Sequence, residues 1–85
     1  MDPFAHPFEH LIVTREGPVA EVRLNRPGAR NALSRALMLE LTDFARAVRR
    51  RTDVLAVILT GSDTYFSAGA DLAERAAQGP QTLLE

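Results

Sequence analysis

The chain has 85 residues, 46% hydrophobic and 25% charged, with a formal net charge of −1. A chain this short buries only about 60% of the surface its unfolded form exposes, so it makes one small domain or part of a larger one. The apolar content excludes a disordered tail and the balanced charge gives no electrostatic reason to expect nucleic acid. The absence of cysteine excludes disulfides, thiolate catalysis and zinc–thiolate sites.

Residues 1–9 hold two prolines and no periodic pattern, and predict a flexible, extended arm ahead of a domain over 10–85. The start has no basic region followed by an apolar one, so it is not a secretory signal. No apolar run approaches the ~20 residues a membrane span needs. A cytoplasmic protein with no membrane partner is the expectation. Leu11–Thr14 is a short β-branched run, Glu16-Gly17-Pro18 supplies a turn, and Val19–Leu24 alternates, with Val19, Glu21 and Arg23 set against Ala20, Val22 and Leu24. Two such runs around a glycine-containing turn predict a β-hairpin. Asn25-Arg26-Pro27-Gly28 stops the second strand.

Ser34 is placed to cap a helix N-terminus. Leu37, Leu41, Phe44, Ala45 and Val48 then follow at steps of three and four, which predicts a helix over 35–51. Glu40, Asp43, Arg46 and Arg50 fall on or near its other, solvated face. After Thr52-Asp53, the run Val54–Leu59 is apolar throughout and suits a strand buried on both faces of a parallel sheet. A second helix is predicted from Asp71 or Leu72 through Ala77. Gly79-Pro80 interrupts it, and Gln81–Glu85 starts another. The order is β-β-α-β-α, containing a right-handed βαβ unit. A strand apolar on both sides needs more neighbours than three strands supply, so the chain reads as the opening of a longer α/β fold.

The segment Phe66-Ser67-Ala68-Gly69-Ala70-Asp71-Leu72 follows the buried strand, where ligands bind in open α/β sheets. Its small residues let another molecule approach the main chain. The start of the following helix, with unsatisfied N–H groups and partial positive charge, suits a developing oxyanion. The same residues also read as a plain strand-to-helix turn with Asp71 as the cap. Other candidates carry less. His6 and His10 sit four apart, but Pro7 lies between them and no His-Glu-x-x-His pattern accompanies them. Ser67 is not in a Gly-x-Ser-x-Gly elbow and no histidine follows it. Arg46, Arg49, Arg50 and Arg51 cluster where positive charge favours the helix dipole. Gly61-Ser62-Asp63 lacks the later residues of a phosphate-binding glycine loop.

Four segments occur in order and at close spacing: Leu24-Asn25-Arg26-Pro27, Arg30-Asn31-Ala32-Leu33-Ser34, Val57-Ile58-Leu59-Thr60-Gly61, and Phe66 through Leu72. Together they resemble the opening of the crotonase (enoyl-CoA hydratase/isomerase) superfamily, over about residues 11–77. The resemblance implies the N-terminal part of a crotonase-like ββα spiral fold. It also implies an enzyme that polarises an acyl-CoA thioester carbonyl in an oxyanion hole, for hydration or double-bond isomerisation of an enoyl-CoA in fatty acid metabolism.

By that resemblance Ala70 donates one of two oxyanion-hole N–H groups. Ala68 and Gly69 line the acyl-CoA path, Asp71 and Leu72 flank it, and Ala29 and Arg30 face the CoA moiety. Arg30 is suited to a phosphate, though it reads equally as a solvated loop residue. Asn31 is expected to tether its own loop. CoA enters as part of the substrate, with no separate cofactor and no metal, and the family assembles as trimers or dimers of trimers. The family's second oxyanion donor and its acid/base carboxylates lie beyond Glu85. Glu40, Asp43, Asp63 and Glu74 offer no substitute, Glu74 reading as an exposed helix residue. The stretch alone is therefore expected to be inactive. The alternative reading is a non-catalytic truncated fragment, at most a partial CoA-binding or self-associating module.

Overall fold

The computed structural model describes residues 1–78; the predicted break at Gly79-Pro80 and the helix start at Gln81–Glu85 lie outside them. Strand β1 (Leu11–Glu16) turns through Gly17 and Pro18 into β2 (Val19–Leu24), and the two pair antiparallel with Leu11 opposite Leu24 and Glu16 opposite Val19. Gly17 occupies the left-handed region at φ 57°, which a tight hairpin turn demands and glycine adopts without steric cost. Helix α1 (Arg35–Arg49) carries the chain over to β3 (Ala56–Thr60), which pairs parallel with β2 so that Ala20 lies beside Val57 and Val22 beside Leu59. A last helix, α2, spans Leu72–Gln78. The sheet order is β1-β2-β3.

Alternation decides which face carries the core. Leu11, Ala20, Val22 and Leu24 point to one side of the hairpin and pack with Leu37 and Phe44 of α1, all at 4% exposure or less. Burying a leucine or phenylalanine side chain stabilises by roughly 1.5–3 kcal/mol, so this small cluster holds the hairpin and helix together. Ser34 caps α1 as expected, its hydroxyl accepting from the Leu37 N–H at 3.2 Å. The helix ends two residues earlier than predicted, and Ala45 is exposed rather than packed.

Three expectations change. The N-terminal segment is not extended: it turns at Asp2–His6, buries Pro3, and sets Phe4 and Phe8 against the core, with Phe8 edge-on to Phe44. Glu40 does not face solvent freely. Its two carboxylate oxygens accept from the Glu9 and His10 N–H groups, each at 2.7 Å, and pin that segment to α1. The strand expected to be buried on both faces is the sheet's edge among the described residues. Val57, Ile58 and Leu59 are 46%, 50% and 46% exposed. Helix α1 shields the face of β1 and β2 but leaves Val57 and Leu59 half open, and Ile58 points to the opposite, uncovered face. An apolar run reports the surroundings a strand tolerates, while the described residues give it one partner strand and little cover.

The N-terminal segment is tied down by charge as well as packing. The guanidinium groups of Arg15 and Arg51 both approach the Phe4 ring, at 4.6 and 5.1 Å from its centre. Asp53 accepts from both arginines, at 3.0 and 2.8 Å. These hydrogen bonds, Arg51's first and then Arg15's, hold the Asp53 carboxyl well below the usual carboxylate range. A depressed folded value means the stabilisation is complete above the unfolded value near pH 4 and is lost as pH falls through the folded one. Asp53→Asn should therefore flatten the loss of stability on acidification below about pH 4. Urea midpoints measured across that range decide it; parallel losses in both proteins would remove Asp53 as the cause.

Candidate functional site

The β2–α1 loop and the segment after β3 are built into one another. Chain reversal after β2 uses a 3₁₀ turn at Pro27–Ala29, followed by two successive left-handed residues, Arg30 (φ 53°) and Asn31 (φ 56°). Asparagine tolerates this region better than most residues because its short amide can bond locally. Asn31 is 2% exposed and does more than tether its own loop. Its Oδ1 accepts from the Arg26 N–H at 2.7 Å, and its Nδ2 donates to the Phe66 carbonyl at 3.2 Å across 35 residues. The Ser67 hydroxyl donates back to the Asn31 carbonyl at 2.7 Å.

From this junction the backbone of 68–70 is fixed peptide by peptide. The Ala68 N–H donates to the Arg30 carbonyl at 3.0 Å, and the Gly69 N–H to the Ser67 hydroxyl at 3.0 Å. The Gly69 carbonyl then accepts from the Leu33 N–H at 2.7 Å, forming an isolated parallel bridge between Leu33 and Ala70. A trans peptide holds its C=O and N–H on opposite sides, and the chain has no cis bond. With the Gly69 carbonyl turned to Leu33, the Ala70 N–H is turned away. Ala70 is exposed, and no acceptor among the described residues takes that N–H. Gly69 has φ 92°, and an added Cβ would meet nothing within 4 Å. Backbone conformation, not close approach, is what requires glycine here.

Helix α2 has seven residues, and its start is capped by Asp71, whose Oδ1 accepts from the Glu74 N–H at 3.0 Å. Asp71 Oδ2 meets Arg26 Nη1 at 2.8 Å, and the same nitrogen donates to the Ala32 carbonyl at 3.1 Å. The Glu74 N–H first, and Arg26 next, hold the Asp71 carboxyl below its ordinary value. Asp71 is thus committed to structure. Glu74 is too, its Oε1 accepting from the Arg35 N–H at the head of α1 at 2.8 Å. The Asp71 cap is expected from the sequence; its pairing with Arg26 and the Glu74 contact with the Arg35 N–H are not.

The remaining site residues divide. Arg30 is exposed, its guanidinium 5.2 Å from the centre of the Tyr65 ring and without a carboxylate partner among the described residues. Ala29 is half-buried in the turn behind it. Leu72 projects outward at 77% exposure. Ala70 borders an open cavity of about 360 Å³ shared with Leu33, Ser34, Arg35, Met38, Asp71, Glu74 and Arg75. A depression of about 680 Å³ lies on the far face of the sheet around Thr14, Glu21 and Ile58, away from the 68–70 segment.

The sequence profile of the enoyl-CoA hydratase/isomerase family matches residues 14–84. The chain belongs to this family. It is 44% identical to the 2,3-dehydroadipyl-CoA hydratase of Escherichia coli K12 over 69 residues, which are 81% of this chain and 27% of that protein. It is 35% identical to the mitochondrial Delta(3,5)-Delta(2,4)-dienoyl-CoA isomerase of Mus musculus over 74 residues, 86% of this chain and 23% of that one. Among solved structures, the enoyl-CoA hydratase from Bacillus anthracis superposes with a TM-score of 0.82 at 34% identity, covering 88% of this chain and 30% of its own. The chain therefore spans about a quarter to a third of these enoyl-CoA hydratase/isomerase relatives, and its β-hairpin, helix and strand are the N-terminal region of the crotonase fold.

Proposed function

We propose that this chain is the acyl-CoA-cradling part of an enoyl-CoA hydratase or isomerase, and that its Ala70 N–H holds the thioester carbonyl oxygen. One observation carries the reading: of three successive N–H groups at 68–70, the first two are bonded within the protein and the third is left open. A donor fixed in advance costs no reorganisation when charge develops on the oxygen. The polarised carbonyl favours an enolate-like intermediate, from which water addition or a double-bond shift follows. Arg30, held on Tyr65 beside the Ala68 attachment, is positioned for a CoA phosphate, which its planar fork pairs well. Asp71, Glu74 and Glu40 are each spent on main-chain N–H groups, so the reading assigns acid/base chemistry to carboxylates outside the described residues. The relatives' names span both hydratase and isomerase, and the choice between the two reactions rests with those groups.

The test is titration of the purified chain with CoA and with a short enoyl-CoA, following the ultraviolet band of the conjugated thioester. Donation to the carbonyl should shift the bound band to longer wavelength. Gly69→Ala places an L residue at φ 92°, a strain of about 1–2 kcal/mol, which is relieved by turning the 69–70 peptide. That variant should lose the band shift and about tenfold in enoyl-CoA affinity while still binding CoA. An unshifted band in the wild-type protein would rule out the role given to Ala70. The half-exposed edge strand β3 favours a second reading, a non-catalytic self-associating module. Sedimentation showing association by a chain that binds no thioester would support that reading instead.

A further inference from the structure

Arg26 makes more ties than a turn residue needs. Its N–H donates to Asn31 Oδ1 at 2.7 Å, and its carbonyl accepts from the Ala29 and Asn31 N–H groups at 3.1 and 2.9 Å, so its main chain is fixed. From that base a single side-chain nitrogen, Nη1, donates to the Ala32 carbonyl at 3.1 Å and to Asp71 Oδ2 at 2.8 Å. Ala32 directly precedes Leu33 and Asp71 directly follows Ala70, the two residues of the isolated parallel bridge. One guanidinium thus joins both segments at the residues next to the bridge.

A peptide held only at its carbonyl still rocks, because the soft torsions on its two sides counter-rotate. Glycine at 69 offers little resistance of its own. On the near side, the Ala68 N–H is fixed to the Arg30 carbonyl and the Gly69 carbonyl to the Leu33 N–H. Beyond Ala70, the first tie to another segment is the Asp71 carboxylate on Arg26. That pair is shielded from water. The Asp71 side chain is 12% exposed, against 93% for Asp63, which meets Arg23 at 2.9 Å. An ion pair open to solvent holds its partners only weakly, whereas a shielded charge-assisted hydrogen bond fixes geometry.

Resting on the reading of Ala70 as the carbonyl donor, we infer that Arg26 is a positioning residue for the reaction. By clamping Asp71 and the Ala32 carbonyl together, it stops the 69–70 peptide from rocking and keeps the Ala70 N–H on the thioester oxygen. Asp71 acts with it, in addition to capping α2.

Substitutions at Asp71 separate the clamp from the cap. Asparagine and serine cap helices about as well as aspartate. Asp71→Asn leaves one acceptor oxygen for two donors, and Asp71→Ser is too short to reach Arg26. In both, and in Arg26→Gln, the ultraviolet band of bound enoyl-CoA should lose most of its shift. Enoyl-CoA affinity should fall about tenfold, while affinity for CoA, which has no carbonyl to hold, stays. The shift is read per bound molecule, so a partly unfolded population does not diminish it. Arg26→Gln/Asp71→Ser should lose no more than either single variant, because each already removes the one clamp. Asp63→Asn, the same change of charge at the exposed pair, should keep the full shift. A full shift in Asp71→Ser or Arg26→Gln, or losses that add in the double variant, overturns the inference and leaves the Ala70 reading standing. An unshifted band in the wild-type protein overturns both.

Discussion

Gly61→Ala should destabilise the protein by about 2–3 kcal/mol, at the upper end of what overpacking costs, and disorder the path from β3 to Ala70. Gly61 is buried where β3 ends. A Cβ built on it would lie 2.3 Å from the Phe66 carbonyl oxygen and 2.5 Å from the Phe66 Cα. Both are main-chain atoms, so no side-chain rotation relieves the overlap. Its φ is not positive, so the effect comes from contact and not from backbone conformation. The local frame resists movement. The Gly61 carbonyl accepts from Arg23 Nε at 2.8 Å, and the Ser62 hydroxyl donates to the Tyr65 carbonyl at 3.0 Å. Gly28→Ala is the control, since a Cβ there meets nothing within 4 Å and its φ is ordinary. Guanidinium denaturation should show a lowered midpoint for Gly61→Ala and little change for Gly28→Ala. Equal midpoints would mean that the 62–66 loop gives way freely.

The order of elements was legible because each follows from a local rule. Alternation at 19–24, the helical spacing from Leu37 to Val48 and the Ser34 cap all concern neighbours in sequence. What the sequence does not display is pairing between distant polar groups. Glu40 and Glu74 look like solvated helix acids, yet each accepts main-chain N–H groups from another segment. Arg26 reads as part of a turn, yet it ties that turn to Asp71 across 45 residues. The Ala70 donor lies between these cases. The resemblance assigned it within the small-residue segment, but the contact that orients its peptide comes from outside that segment. The peptide plane is set by Leu33, a residue whose apolar side chain says nothing about what its N–H does.

A further tie between the β2–α1 loop and the segment after β3 runs through the Asn31 amide and the Phe66 carbonyl, which makes Asn31→Ala the most informative polar deletion. Alanine removes the acceptor for the Arg26 N–H and the donor to the Phe66 carbonyl. Each part-buried group left unpaired costs roughly 1–3 kcal/mol. Alanine also holds φ 56° without the local amide bond that makes asparagine tolerable there. The total should be about 3 kcal/mol, read as a lowered guanidinium midpoint. Asn31→Gly separates the two contributions: it accepts the left-handed backbone but still lacks both bonds, and should recover about 1 kcal/mol. Asn31→Asp keeps the acceptor for Arg26 but sets a carboxylate against the Phe66 carbonyl, so it should lie no higher than Asn31→Gly. Because Ala68 hangs from the Arg30 carbonyl and Gly69 from Leu33, loosening Asn31 should free the 69–70 peptide. The enoyl-CoA band shift should then be lost under conditions where the Asn31→Ala variant is still folded. A folded variant that keeps the full shift would show that Leu33 alone is enough to aim the Ala70 N–H.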